Sequence, residues 1–185
     1  KENLTGYGNT GVGYDALYPA TGHSNTAIGG LALCSMTSGI LATAVGYKAL
    51  FVNSTSQANT GIGCYAGMAT STGTMDAYLG FGAGSAVTTG SNNTCVGAQS
   101  GEVITTGGQN TIVGHLCEVS ASSASNQTVM GRGVTSAGNG NFTFGDGTTD
   151  SNIANGATSI TAPSDIRLKE DIQDELVGLD FINEL

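Results

Sequence analysis

The sequence predicts an all-β fold, a repetitive parallel β-solenoid or β-roll of about eight 17-residue coils. Three observations predict it: a pentapeptide that returns on a fixed beat, a composition hostile to helices, and turn clusters between the repeats. The pentapeptides NTGVG, NTAIG, ATAVG, NTGIG, DAYLG, NTCVG, NTIVG and QTVMG end on Gly13, Gly29, Gly46, Gly63, Gly80, Gly97, Gly114 and Gly131. Their spacing is 16 once and then 17 six times in succession, a period typical of stacked repeats. Gly, Thr and Asn, which fill the units, are poor in helix interiors. TSG, STG and TTG separate one pentapeptide from the next and supply turn chemistry.

Each column of the repeat has a physical reading. The residue before the anchor glycine is always apolar: Val12, Ile28, Val45, Ile62, Leu79, Val96, Val113 or Met130. Three before it stands Thr in seven rungs and Ala77 in the eighth. Four before it stands Asn9, Asn25, Asn59, Asn93 or Asn110, with Ala42, Asp76 and Gln127 as exceptions. Three after it, the first five rungs carry Ala16, Ala32, Ala49, Ala66 and Ala83. A unit this short cannot bury a core alone. Stacked units can, each rung offering its Val or Ile to the next across a strand spacing of about 4.7–4.9 Å. Seven such steps give a shaft of roughly 34 Å, along which aligned Asn residues form an amide ladder.

The glycine column leaves two readings open. Along a strand, positions −3, −1 and +1 share one face, while −2, 0 and +2 share the other. The second face carries Gly11, Ala27, Ala44 and Gly61 at −2 and glycine at 0. Either each glycine permits a corner with positive φ, or the bare flank admits the backbone of another chain.

Composition excludes several function classes. The net charge is −9 with five Lys and Arg, which argues against nucleic acid, since phosphate binding needs clustered cations. No apolar run reaches the roughly 18 residues of a membrane span, and no membrane insertion is expected. Charged residues are only 10% of the chain and Pro counts two, unlike disordered or collagen-like sequences. The chain opens on Lys1, as a piece of a longer protein does. Cys34, Cys64, Cys95 and Cys117 share no column and read as small apolar fillers. His23 and His115 stand alone, so no metal or other cofactor is expected. Asp15, Asp76, Glu102 and Glu118 form no repeated acidic column, and glycosidase chemistry wants two facing carboxylates.

The units NTAIGGLAL and ATAVGYKAL resemble the repeats of trimeric autotransporter adhesin heads and of many phage fibre proteins. The resemblance covers about residues 5–135 and implies a left-handed parallel β-roll that associates as a homotrimer. After Gly131 the beat breaks. The segment GNFTFGDGTTDSNIANGATSI keeps NG and DG turns, with Phe142 and Phe144 on one face, as expected of a strand segment that caps the stack.

The tail is different in kind. SDIRLKEDI followed by GLDFINEL resembles the start of the intramolecular chaperone domain at the C-termini of phage tailspikes and fibres, typified by the endosialidases. That resemblance implies trimerisation followed by self-cleavage of the Pro163–Ser164 bond, with Ser164 as nucleophile and Lys169 as its base. Asp165, Arg167 and Leu168 complete the motif without assigned chemistry. A serine attacking an amide does need a neighbouring base, and a desolvated Lys can serve. Five residues apart, the pair needs a turn between them or a Lys from another chain. On the sequence alone, the same residues read as a helix N-cap with acids in the first turn. The chain stops inside the short helix expected over about 174–185, with most of such a domain missing.

Three domains follow: a β-roll shaft over 1–135, a transition and capping segment over 136–163, and the truncated start of a chaperone over 164–185. The expected function is a structural trimeric fibre or appendage of a phage or other virus, located on the virion and involved in host attachment. Expected partners are two further copies, other virion structural proteins, and a host-surface glycan or receptor met by the turns at 18–24, 51–58 and 118–125. The shaft itself is expected to have no enzymatic activity. The alternatives are a cellular trimeric adhesin stalk at the cell surface and a tailspike enzyme that degrades polysaccharide.

Overall fold

The computed structural model describes residues 6–157. Within them lie ten strands: β1 (Thr10–Val12), β2 (Thr26–Ile28), β3 (Thr43–Val45), β4 (Thr60–Ile62), β5 (Ala77–Leu79), β6 (Thr94–Val96), β7 (Thr111–His115), β8 (Thr128–Arg132), β9 (Asn141–Gly145) and β10 (Ser151–Ala154). They form one sheet in sequential order, parallel from β1 to β9 and closed by β10 running antiparallel to β9. No helix occurs among the described residues. The β-solenoid expected from the period is present, and its register matches the repeat: Thr26 faces Thr43 and Ile28 faces Val45. The helix expected over 174–185 lies outside the described residues.

Strands of three residues are too short to hold by themselves; turns stitch the rest of each rung to its neighbours. Leu33 N donates to Ala49 O at 3.1 Å, Leu50 N to Ala66 O at 2.9 Å and Gly67 N to Ala83 O at 2.9 Å, so this wall is hydrogen-bonded from rung to rung as well. The path relies on left-handed residues at fixed places. Leu17, Leu33 and Leu50, four after the anchor, have φ of 60°, 49° and 49°, a conformation leucine adopts at a cost of about 1–2 kcal/mol. Each of the three is buried in the core, and burying a leucine returns about 1.5–3 kcal/mol.

The core runs along the inside of the coil. It comprises the −2 residues of the strands (Ala27, Ala44, Tyr78, Cys95, Ile112, Val129) and the alanines three after the anchor, beginning with Ala32. Here the structure corrects the assignment of faces. The small −2 residues look into their own coil, not toward another chain, and the Val and Ile column lies outside. The anchor glycines have φ between +125° and +141°, so regular alternation stops there. A methyl on Gly29 would sit 2.6 Å from Gly46 O, and one on Gly46 equally close to Gly63 O. The glycine column is thus where successive rungs of one chain press together. Of the two open readings, the positive-φ corner holds, and the close backbone approach is made within the chain.

The repeat ends as an edge must. β9 joins β8 only fourteen residues on, with Thr128 facing Phe142 and Met130 facing Phe144. β10 then folds back on β9, and Phe142 and Phe144 share a face with ring centroids 5.1 Å apart.

Candidate functional site

The −3 and −1 residues of β1 to β8 lie outside the core and make one face along the shaft. Val12 is 57% exposed, Ile28 42%, Ile62 39%, Leu79 48% and Met130 48%, values no core position would show. Val45, Val96 and Val113 are half-buried. Threonines line the other edge, and the register continues both columns onto Phe142 and Phe144. A monomer rarely exposes a contiguous apolar patch of more than a few hundred Å².

The electrostatics of this face are those of a contact surface. Among the pentapeptides only DAYLG contains a charged residue, and that residue, Asp76, is buried. The −3 and −1 columns therefore carry no charge, and the exposed charge nearest them on a strand is Arg132 at the end of β8. β-Branched and Thr side chains are stiff at χ1, so little side-chain entropy is lost on contact.

Past the anchor glycine lies an aromatic strip. Tyr65 stands edge-on between Tyr47 at 5.7 Å and Phe81 at 6.0 Å between centroids, an arrangement the ring quadrupoles favour. The Lys48 ammonium lies 5.5 Å from the Tyr47 ring and 5.3 Å from that of Phe51. Phe81 and Tyr14 are well exposed, at 54% and 75%.

The asparagine column forms the expected ladder. Asn25 Oδ1 accepts from Ala42 N at 2.9 Å while its Nδ2 donates to Gly39 O at 3.0 Å. Asn59 binds Asp76 N and Gly73 O, at 2.9 and 2.7 Å. Asn110 Nδ2 reaches both Asn93 Oδ1, at 3.0 Å, and Ala124 O, at 2.9 Å. Asn9 does the same at the start, donating to Gly22 O at 2.7 Å. Gln127 ends the series by bonding Ser120 and Asn139.

A second ladder runs through the residues of the turn clusters. Eight residues after each of the first seven anchors stands a hydroxyl, and after the eighth stands Asn139. Thr37 Oγ1 donates to Ser54 O, Ser54 Oγ to Ser71 O, Ser71 Oγ to Thr88 O and Thr88 Oγ1 to Thr105 O, all at 3.0–3.1 Å. The Ser and Thr that looked like generic loop residues hold the turns in register.

The remaining candidates stay apart. All four cysteines are free thiols, with Cys95 and Cys117 in the core; burial pushes both thiols up and makes them poor nucleophiles. His23 stacks on Tyr7 at 4.2 Å and accepts its backbone N–H. Glu118 spends its carboxylate on the N–H groups of Glu102 and Val103, both at 3.0 Å; burial raises it above the usual carboxylate range, and neighbouring Glu102 adds to that. Among the described residues no three His, Cys, Asp or Glu side chains gather as metal ligands. Pro163, Ser164, Asp165, Arg167, Leu168 and Lys169 all lie outside the described residues. No protein-family model, curated protein or solved structure matches the chain.

Proposed function

We propose that the chain is the shaft of a trimeric fibre or appendage of a phage or other virus, used in host attachment. The single observation that supports this is the uncharged Thr and Val/Ile face, repeated rung by rung along the length of the solenoid. Because β1 to β9 are parallel and in register, three copies set about an axis along the shaft meet at every rung with the same residues. A narrow three-residue strand suits such an arrangement, since packed sheets stand about 10 Å apart and three such faces enclose a triangular core of side chains. The repeats supply length and stiffness, and the turns on the far side stay free for receptor contact.

The C-terminal SDIRLK motif supports the second half of the reading: a chaperone that aligns three chains and then cuts itself away at Pro163–Ser164. The test is the intact mass of the full-length gene product after expression. The reading expects a C-terminus at Pro163 in wild type and none in Ser164→Ala. It also expects that deleting the chaperone sequence leaves insoluble or monomeric chains. Soluble trimers without that sequence, or an uncut wild type, would refute the processing role.

A further inference from the structure

Asp76 holds the asparagine place in the fifth rung and is 98% buried, its relative exposure being 2%. Its Oδ1 does what the asparagine oxygens do, accepting from Asn93 N at 2.8 Å and Asn93 Nδ2 at 3.2 Å. Its Oδ2 has no hydrogen bond within 3.5 Å, although the Tyr78 hydroxyl also acts on the carboxyl as a donor. That oxygen stands where every asparagine has an NH2. In the next rung, Asn93 Nδ2 donates to Gly107 O at 3.0 Å, fourteen residues on, as Asn59 Nδ2 does to Gly73 O at 2.7 Å. For Asp76 the corresponding acceptor is Gly90 O. A methyl on Gly73 would press against both Gly90 O and, at 2.9 Å, Asp76 Oδ2; a methyl on Gly90 would press against both Gly107 O and, at 3.1 Å, Asn93 Nδ2. The two niches are built alike, but one holds a carboxylate oxygen where the other holds an amide nitrogen.

An ionised carboxylate in that niche has no donor to offer and repels the carbonyl. A neutral carboxylic acid has one. We infer that in mildly acidic solution Asp76 is a protonated carboxylic acid in the folded shaft, its Oδ2–H donating to Gly90 O in place of the asparagine amide, and that its ionisation at higher pH loosens the fifth rung. The surroundings agree. The titratable groups beside it are Tyr78 on its own rung and Cys95 on the next, both held neutral by burial, and no lysine, arginine or histidine among the described residues offsets its charge. Burial pushes the Asp76 carboxyl up from 3.8 to about 6, and outweighs the lowering pull of hydrogen bonds from Asn93 and from the Tyr78 hydroxyl.

The consequence for stability has a definite sign. The folded pKa lies above the unfolded one, so the proton binds roughly a hundredfold more tightly in the fold. Between about pH 4 and 6 the folded chain keeps a proton that the unfolded chain has released, and stability falls as pH rises through that window. Above it, the loss is complete. The shaft thus carries a joint that is closed in acid and strained at neutral pH.

The experiment compares wild type with Asp76→Asn. The variant restores the amide, so its melting temperature at pH 7.5 is expected to exceed that of wild type, and the gap to narrow steadily as pH falls toward 4. An independent readout is the infrared difference spectrum of wild type minus variant. It is expected to show the carbonyl band of a protonated carboxylic acid at pH 5, giving way to a carboxylate band with a midpoint near 6. A variant less stable than wild type at pH 7.5, or a carboxylate band already complete at pH 5, would overturn the inference.

Discussion

In the first three rungs the wall behind the strand carries Leu17, Leu33 and Leu50, while the strand opposite offers only Gly11, Ala27 and Ala44. From the fifth rung onward the sizes reverse. The strand carries Tyr78, Cys95, Ile112 and Val129, and the wall positions of rungs four to six are Gly67, Gly84 and Gly101. The fourth rung, with glycine on both sides, is the changeover. Leu50 leans over Gly61 from one neighbour, where a methyl would come within 2.8 Å of its Cγ, and the Tyr78 ring covers Gly67 from the other. What is kept constant along the shaft is the filling of each interior layer, not the residue at each position, as close packing requires.

Variants that disturb this exchange can break or sharpen the comparison. The largest effect is expected for Tyr78→Ala, which empties the space over two glycines and should cost about 3–5 kcal/mol in denaturant unfolding. Leu33→Ala in the other half should cost about 2–5 kcal/mol. A negligible loss at either site would mean that its half does not depend on the large residue. Adding Gly67→Leu to Tyr78→Ala rebuilds the pattern of the early rungs, because Gly67 has φ +58° against 49° for Leu50. The double variant should therefore regain part of the loss, a coupling read from a double-mutant cycle. Gly67→Leu in the wild-type background should instead be destabilising, by about 1–3 kcal/mol, since Tyr78 already occupies the space.

Smaller effects belong to the ladders that both halves share. Asn110→Ala leaves the Gln127 N–H and the Ala124 carbonyl without partners, at about 1–3 kcal/mol for a buried group left unpaired. Hydrogen exchange at Gln127 should rise accordingly. Ser71→Ala removes one half-buried hydroxyl bond and should lower stability by about 0.5–1.5 kcal/mol.

Much of this was legible before the fold. The beat of the anchor glycines gave the rung length, and the Asn column gave its ladder. The faces were misassigned for two physical reasons. Gly29 and its equivalents take positive φ, so the alternation rule does not extend through the anchor, and the early strands are small inside because leucines lie opposite. Leu17 and Gly11 compensate across the coil, six residues apart, and no single column shows that. In the sequence Asp76 is only an exception to the Asn column; that its second oxygen lines the same niche as the Gly90 carbonyl depends on the turns at Gly73 and Gly90. Phe142 and Phe144 were expected to share a face, but that this face continues the outer Thr and Val/Ile columns required the fourteen-residue step from β8 to β9.

The outer face bears the heaviest inference, and the mass in solution of the full-length gene product tests it most directly. Light scattering should give three times the mass of one chain for wild type. With Ile62→Asp, which sets a charge into the middle of the face while leaving the interior untouched, it should give a single chain. A wild type that stays a monodisperse single chain at high concentration, its Val and Ile column open to water, would contradict the account.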